Sequence, residues 1–301
     1  MQSGGRKMKR TLAAWMLGIS LLCSSSCPAM ASEILAESVT ELRTGSIGGE
    51  WAVIALSRSD TELPEGCYEA YLDSVEEKLV ECDGVLDTRK YTEYSRVALG
   101  LAALGEDPQN FRGWDVLEPL KDLDKVSFQG SNGPIWALIA VDSNDYEGFE
   151  ETREQLLDKV VDLANEDGGY GLITGNGSDP DLTAMAMTAL AAHQEDPEAE
   201  DAIQKGMEYL TVQMEEGFES CESWAQTLLA CASLNLQEEA ELCRDELELY
   251  AVDGGYCHLL EEGEINGMAT EQALYSIAAY ERMQKGENRL FDMRDVSCAG
   301  E

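Results

Sequence analysis

Residues 163–191 read LANEDGGYGLITGNGSDPDLTAMAMTALA, and this stretch decides the fold. It holds a helix end, a glycine turn, an acidic cap and a second helix of small apolar residues. Gly168 and Gly169 supply the left-handed backbone that stops a helix. In Asp179-Pro180-Asp181 the first aspartate caps the next helix, and Pro180 takes its first turn. From 182 to 192 the only polar side chains are Thr183 and Thr188. A helix with no polar face must be covered on all sides, so it belongs to an inner layer.

A weaker copy lies at 249–280. Asp253-Gly254-Gly255-Tyr256 repeats Asp167-Gly168-Gly169-Tyr170, and Met268-Ala269-Thr270-Glu271-Gln272-Ala273-Leu274 opens another sheltered helix. Sheltered segments also begin near Trp51, Glu93, Gly133 and Glu222, so all six start at intervals of 40 to 48 residues. Amphipathic segments alternate with them. Their stripes are Tyr68, Tyr71, Leu72, Val75 and Leu79; Leu156, Leu157, Val160, Val161 and Ala164; Ala199, Ala202, Ile203, Gly206, Met207 and Leu210; and Leu236, Ala240, Cys243, Leu247 and Tyr250. Shorter pieces at 33–43 and 114–123 complete the alternation.

No segment alternates with period two, so almost no sheet is expected. A repeat of this length implies stacked helix pairs, and an open stack would expose its end units. Closure removes those ends. The expected fold is all-α, an α6/α6 double-ring toroid over 48–293, preceded by a segment at 32–47 and followed by a tail at 294–301.

The first ten residues carry four basic groups and no acid, the apolar run 12–22 follows, and Ala29-Met30-Ala31 offers a cleavage site. That predicts a secretory signal peptide at 1–31, and a secreted or surface location. Ser24-Ser25-Ser26-Cys27 leaves a lipid anchor at Cys27 as the alternative, although the leucine expected three residues earlier is missing. The formal net charge is −38, with 59 acidic against 21 basic residues. Such a charge opposes binding to phosphate backbones and anionic lipid. Nucleic acid is therefore excluded as a partner, no membrane span is expected, and a monomer is expected. Seven cysteines follow residue 31 without the spacing of a disulfide framework, and no pairing is assigned.

The repeats resemble those of the terpenoid cyclase/protein prenyltransferase superfamily. The likeness is to bacterial secreted proteins with prenyltransferase/squalene-oxidase repeats and to the intrinsic-factor-like cobalamin-binding domains. It spans about residues 45–293 and rests on Glu166-Asp167-Gly168-Gly169-Tyr170-Gly171 and Asp179-Pro180-Asp181-Leu182-Thr183-Ala184-Met185-Ala186. Tyr94-Ser95-Arg96-Val97-Ala98-Leu99 and Ala269-Thr270-Glu271-Gln272-Ala273-Leu274-Tyr275 support it. The resemblance implies the toroid. It does not imply an activity, because one fold hosts many functions.

Against the family's catalytic patterns the chain is incomplete. Protonating cyclases carry D-x-D-D with a central acid; Asp179 and Asp181 would be the catalytic pair here, but Leu182 replaces the last carboxylate. Read from the residues alone, Asp179 caps a helix and Asp181 sits in its first turn, where the helix dipole favours it. Zinc-dependent prenyl transfer needs Asp, Cys and His ligands, and His193, His258 and Cys257 form no such set, so no metal and no cofactor are expected. The thioester sequence of complement-like toroids and the dinucleotide glycine pattern are both absent.

Candidate ligand contacts lie where sheltered helices begin. Asp181, Trp136, Tyr170, Trp224, Gln226, Tyr256, Glu271 and Gln272, with Trp51 and Tyr94, combine aromatic bodies with amide and carboxylate tips. In the corrinoid-binding relatives such positions contact the ligand, which makes a cobalamin-like molecule one implied ligand. The acidic rim favours a ligand with positive or hydrogen-donating groups. Three functions stay open: an exported, non-catalytic module binding a small amphipathic ligand or a surface protein, an isoprenoid-cyclising enzyme using Asp181 as acid, and a structural interaction domain without ligand.

Overall fold

The computed structural model describes residues 49–61 and 66–297, and is mostly helical. The expected signal peptide, Cys27 and the segment at 33–43 lie outside the described residues. Six sheltered helices are α1 (Glu50–Ser57), α3 (Thr92–Ala103), α5 (Asn132–Asp142), α7 (Pro180–Leu190), α9 (Cys221–Ser233) and α11 (Gly267–Lys285). Each begins one residue before the position read from the sequence. Between them run α2 (Cys67–Glu81), the single turn α4 (Leu123–Val126), α6 (Glu150–Asp162), α8 (Pro197–Glu216) and α10 (Gln237–Glu248).

Burial follows the sequence pattern. Every residue of α9 is buried, whereas α6 buries only Thr152, Leu156 and Val160 on one stripe. Packing is cyclic: α1 touches α3, then α3–α5, α5–α7, α7–α9 and α9–α11 follow, and α11 returns to α1. The helices α6, α8 and α10 each lie against the sheltered helix that precedes them in sequence.

The expected helical piece at 114–123 is not one helix. Asp115 Oδ1 accepts from the Leu117 and Glu118 amides and starts a 3-10 turn at Glu118–Lys121. Asp122 then leaves helical geometry and caps α4 by accepting from the Lys125 amide. Two short caps close together interrupt what the apolar pattern alone would continue.

The repeated Asp-Gly-Gly-Tyr motif has a single structural meaning. The Tyr170 amide donates to Thr183 Oγ1 at 2.8 Å, and the Asp179 amide donates to the Tyr170 carbonyl at 2.8 Å. In the copy, the Tyr256 amide donates to Thr270 Oγ1 at 3.0 Å, and the Asn266 amide to the Tyr256 carbonyl at 2.8 Å. Asp179 and Asn266 cap α7 and α11 alike. Gly168 and Gly254 sit at φ +82° and +89°, where a side chain is strained. The motif is a clasp that ties each turn to the helix it feeds. The copy also carries the only two-stranded pairing among the described residues, β1 (Ala251–Val252) with β2 (Gly255–Tyr256).

Residues 286–296 form a strap across the C-terminal ends of the sheltered helices. Arg58, just past α1, donates to the carbonyls of Leu290 at 3.2 Å and Asp292 at 2.9 Å, and pairs with Asp295 at 2.7 Å. The Met293 amide donates to the Ser143 carbonyl beyond α5 at 2.7 Å, and Arg289 donates to the Ala191 carbonyl beyond α7. Arg282 of α11 holds Asp295 from the other side. The domain boundary expected at 293 therefore falls inside a working element. These contacts bring the ends of α1, α5, α7 and α11 to one side, so the helices run in the same direction and their first turns gather at the other.

Candidate functional site at the first turns

The sheltered helices face inward at the same positions, counted from the first residue of each. Trp51 is the second residue of α1, Trp136 the fifth of α5 and Tyr275 the ninth of α11. Their rings meet, with centroids 4.6 Å apart for Trp51–Trp136 and 5.7 Å for Trp51–Tyr275. Since α1 and α5 are not neighbours in the cycle, the two tryptophans meet across its centre. Positions two, five, six and nine share one helix face, and that face points to the axis. Phe291 of the strap closes on the same cluster, 5.7 Å from Trp136.

The same stripe on α7, α9 and α11 carries polar groups among its apolar positions. Asp181 and Glu222 hold second positions, Glu271 a fifth, and Gln226 and Gln272 sixth positions. Ser223 Oγ donates to Asp181 Oδ1 at 2.5 Å. Gln226 Nε2 donates to Gln272 Oε1 at 2.8 Å and also to the Tyr275 hydroxyl. His258 Nδ1 lies 2.7 Å from Glu222 Oε2, and this carboxylate raises the imidazole above its ordinary value. Across the cycle, Arg96 of α3 is held 2.9 Å from Glu50 and 2.7 Å from Glu93.

Electrostatics tie these groups into one patch. Burial pushes the Asp181 carboxyl up to about 6, opposed by the Ser223 bond and reinforced by Asp179 and Glu222. Burial likewise raises the Tyr275 phenol; the Gln226 bond opposes this, while Asp181, Glu271 and Glu222 add to it. One phenol thus feels three carboxylates.

The structure brings Asp181, Gln226, Glu271 and Gln272 together around Tyr275, whose ring meets Trp51 of the axial cluster, and places Trp224, Tyr170, Tyr256 and Tyr94 in other contacts. Trp136 is stacked in the axial cluster, so the centre is filled rather than open. Trp224, fourth in α9, is rotated off the stripe and packs 4.6 Å from Phe218. Tyr170 and Tyr256 are buried in the clasps, Tyr170 with no exposure at all. Tyr94, a third residue, pairs with Tyr91 at 5.2 Å. Asp179 caps α7 by accepting from the Leu182 amide at 3.0 Å.

Glu222, Ser223, His258 and Tyr275 were not among the expected contacts. Their signal was a charged residue inside a helix that has no solvent face, since such a group requires a partner. His193 lies at the other end, 2.6 Å from Asp142, so the two histidines share no site. Among the described residues no three potential ligands gather to hold a metal, and no helix is long and apolar enough to cross a membrane.

A separate cavity of about 570 Å³ lies beside Tyr91, Tyr94, Asp115 and Lys125. There the Lys125 ammonium stands 6.0 Å from the Tyr91 ring and 2.7 Å from Asp122, so the chain supplies its own cation.

Asp181→Asn tests the environment of the patch. The folded protein holds the Asp181 proton up to about pH 6, whereas the ordinary value is 3.8. Ionising this group therefore costs stability as pH rises between those values, and the cost is complete above pH 6. The variant is expected to be more stable than the wild type at pH 7.5, by about 1–3 kcal/mol. The difference should vanish near pH 4. Urea unfolding at both values checks it, and a less stable variant at pH 7.5 would refute the burial argument.

Neither the models of known protein families nor the curated proteins give a match to the chain.

Proposed function

We propose that the chain is an exported, non-catalytic binding module of the terpenoid cyclase/protein prenyltransferase superfamily. In this reading it is an α6/α6 toroid whose mouth holds a small amphipathic ligand, corrinoid- or isoprenoid-like in its mix of apolar and polar surface. The closed cycle of sheltered helices supports the toroid. The binding reading rests on one observation: polar side chains of α7, α9 and α11 converge at the first turns, while the strap covers the opposite end. The basic start and apolar run of the first 22 residues support export.

Native mass spectrometry of protein purified from its own host tests this, combined with hydrogen-exchange mapping. A retained small molecule with protection at 180–184, 221–227 and 267–275 is the expected result. Protection confined to 156–161 or 203–210 would make the molecule a scaffold for protein contacts, with an empty mouth.

One observation favours a second reading, an isoprenoid-cyclising enzyme. Asp181 holds its proton well above the ordinary carboxylate range, beside an axial aromatic cluster. Cyclic product from linear polyprenyl substrates, abolished by Asp181→Asn, would establish it in place of the first.

A further inference from the structure

At the first turns, buried hydrogen-bond acceptors outnumber their donors. Glu222 is 3% exposed, and its Oε1 has no partner although Oε2 is satisfied by His258. Gln226, one turn further along the same face, is fully buried and leaves its Oε1 unpaired. Whichever way that amide is turned, one of its polar atoms lacks a partner. Leaving a buried acceptor unsatisfied costs about 1–3 kcal/mol, more for a charged group. Each such group calls for an explanation, and a bound ion or polar molecule that completes it is one.

The charges agree. Asp181, Glu222 and Glu271 act together on the Tyr275 hydroxyl, and Asp179 adds a fourth carboxylate near Asp181. Among the described residues, His258 is the basic group that acts on both Glu222 and Asp181, while Arg96 is engaged by Glu50 and Glu93 across the cycle. Large apolar side chains stand in solvent on the loops feeding the same end: Phe128 before α5, Leu172 and Ile173 before α7, and Leu260 and Ile265 before α11.

We infer that the mouth is a seat for a primary ammonium group on an apolar body, with Asp181, Glu222 and Gln226 accepting its N–H donors. This rests on the binding reading above and adds the chemical class of the ligand. Three acceptors suit the three donors of an ammonium ion, and charge-assisted bonds in a water-poor site are the strong ones. The apolar loops take the body.

Hexylammonium, hexan-1-ol, hexanoate and hexyltrimethylammonium are the probes, titrated into the full chain at pH 7.5 and followed by amide chemical shifts. Hexylammonium is expected to shift residues at the starts of α7, α9 and α11, and to bind at least tenfold tighter than hexan-1-ol. Hexyltrimethylammonium, which has the charge without the donors, should bind several-fold more weakly than hexylammonium, and hexanoate should not bind. Asp181→Asn and Glu222→Gln should each weaken hexylammonium five- to tenfold and leave hexan-1-ol within twofold. Shifts at the mouth with equal affinity for amine and alcohol, or with neither variant weakening the amine, would overturn the ammonium class and keep the binding reading. Shifts only beside Tyr91 and Lys125, or none from any probe, would overturn the ammonium seat; the binding reading falls with it only if protein from its own host also retains no molecule at the mouth.

Discussion

Replacing Arg58 by methionine is expected to remove about 3 kcal/mol of unfolding free energy, the lower end for breaking a buried ion pair. Arg58 is buried and spans from the end of α1 to three carbonyls and one carboxylate of the strap. Methionine fills similar volume without any donor, so those acceptors lose their partner while packing is roughly kept. Arg282 stays on Asp295, which is why the loss should not reach the upper end. Arg294→Met is the control: Arg294 is 40% exposed, its partner Asp145 is 82% exposed and Asp292 only partly buried, so the pairs contribute under about 1 kcal/mol. Urea unfolding of both variants, with exchange of the Met293 amide, measures the contrast. Equal losses would mean that the strap is decoration rather than a fastening.

Phe291→Ala is expected to cost about 3–4 kcal/mol. The ring is 7% exposed and packs edge-on against Trp136 and Trp51, the two side chains that meet at the centre. Its removal opens a cavity on the axis from the strap side, where neighbouring helices are held by backbone contacts and cannot close in. Phe291→Leu should recover more than half of the loss. Tryptophan emission should shift to the red in the alanine variant as water reaches Trp51. The effect should not add to that of Arg58→Met, since both act through one strap. Full additivity would place Phe291 and the arginine in independent units.

Helix existence was legible because the code is coarse. Apolar side chains on every face of 221–233 leave no alternative to an inner position, and the stripe of 150–164 leaves no alternative to an outer one. The rotation of each helix was not legible. Trp136 and Trp224 both lie near a helix start, but one is fifth and the other fourth, and a single residue turns a side chain by about 100°. One residue of error in the start hides which of them faces the axis. Counting each helix from its cap recovers the rule: second, fifth, sixth and ninth positions bring Asp181, Glu222, Glu271, Gln226, Gln272 and Tyr275 to one place. The strap was invisible for a different reason. Its bonds join Arg58 to residues 231 to 234 positions away, through carbonyls that every residue possesses. No periodicity announces such a contact.

The contact between α1 and α11 carries a consequence for how the protein is made. A helix such as α1, with Ala52, Val53, Ile54, Ala55 and Leu56 all buried, gains one of its two flanking neighbours only when 267–285 has been synthesised. At ordinary translation speeds some two hundred intervening residues take on the order of ten to forty seconds. Throughout that interval α1 can pack against only α3 of its two flanking neighbours, and its other apolar face has no partner. The contact between α1 and α11 cannot form from the leading end, and the fastening strap is translated after both helices. The closing contact is therefore a late event in synthesis, and a chaperone that binds exposed apolar helices would meet α1 before its second neighbour exists.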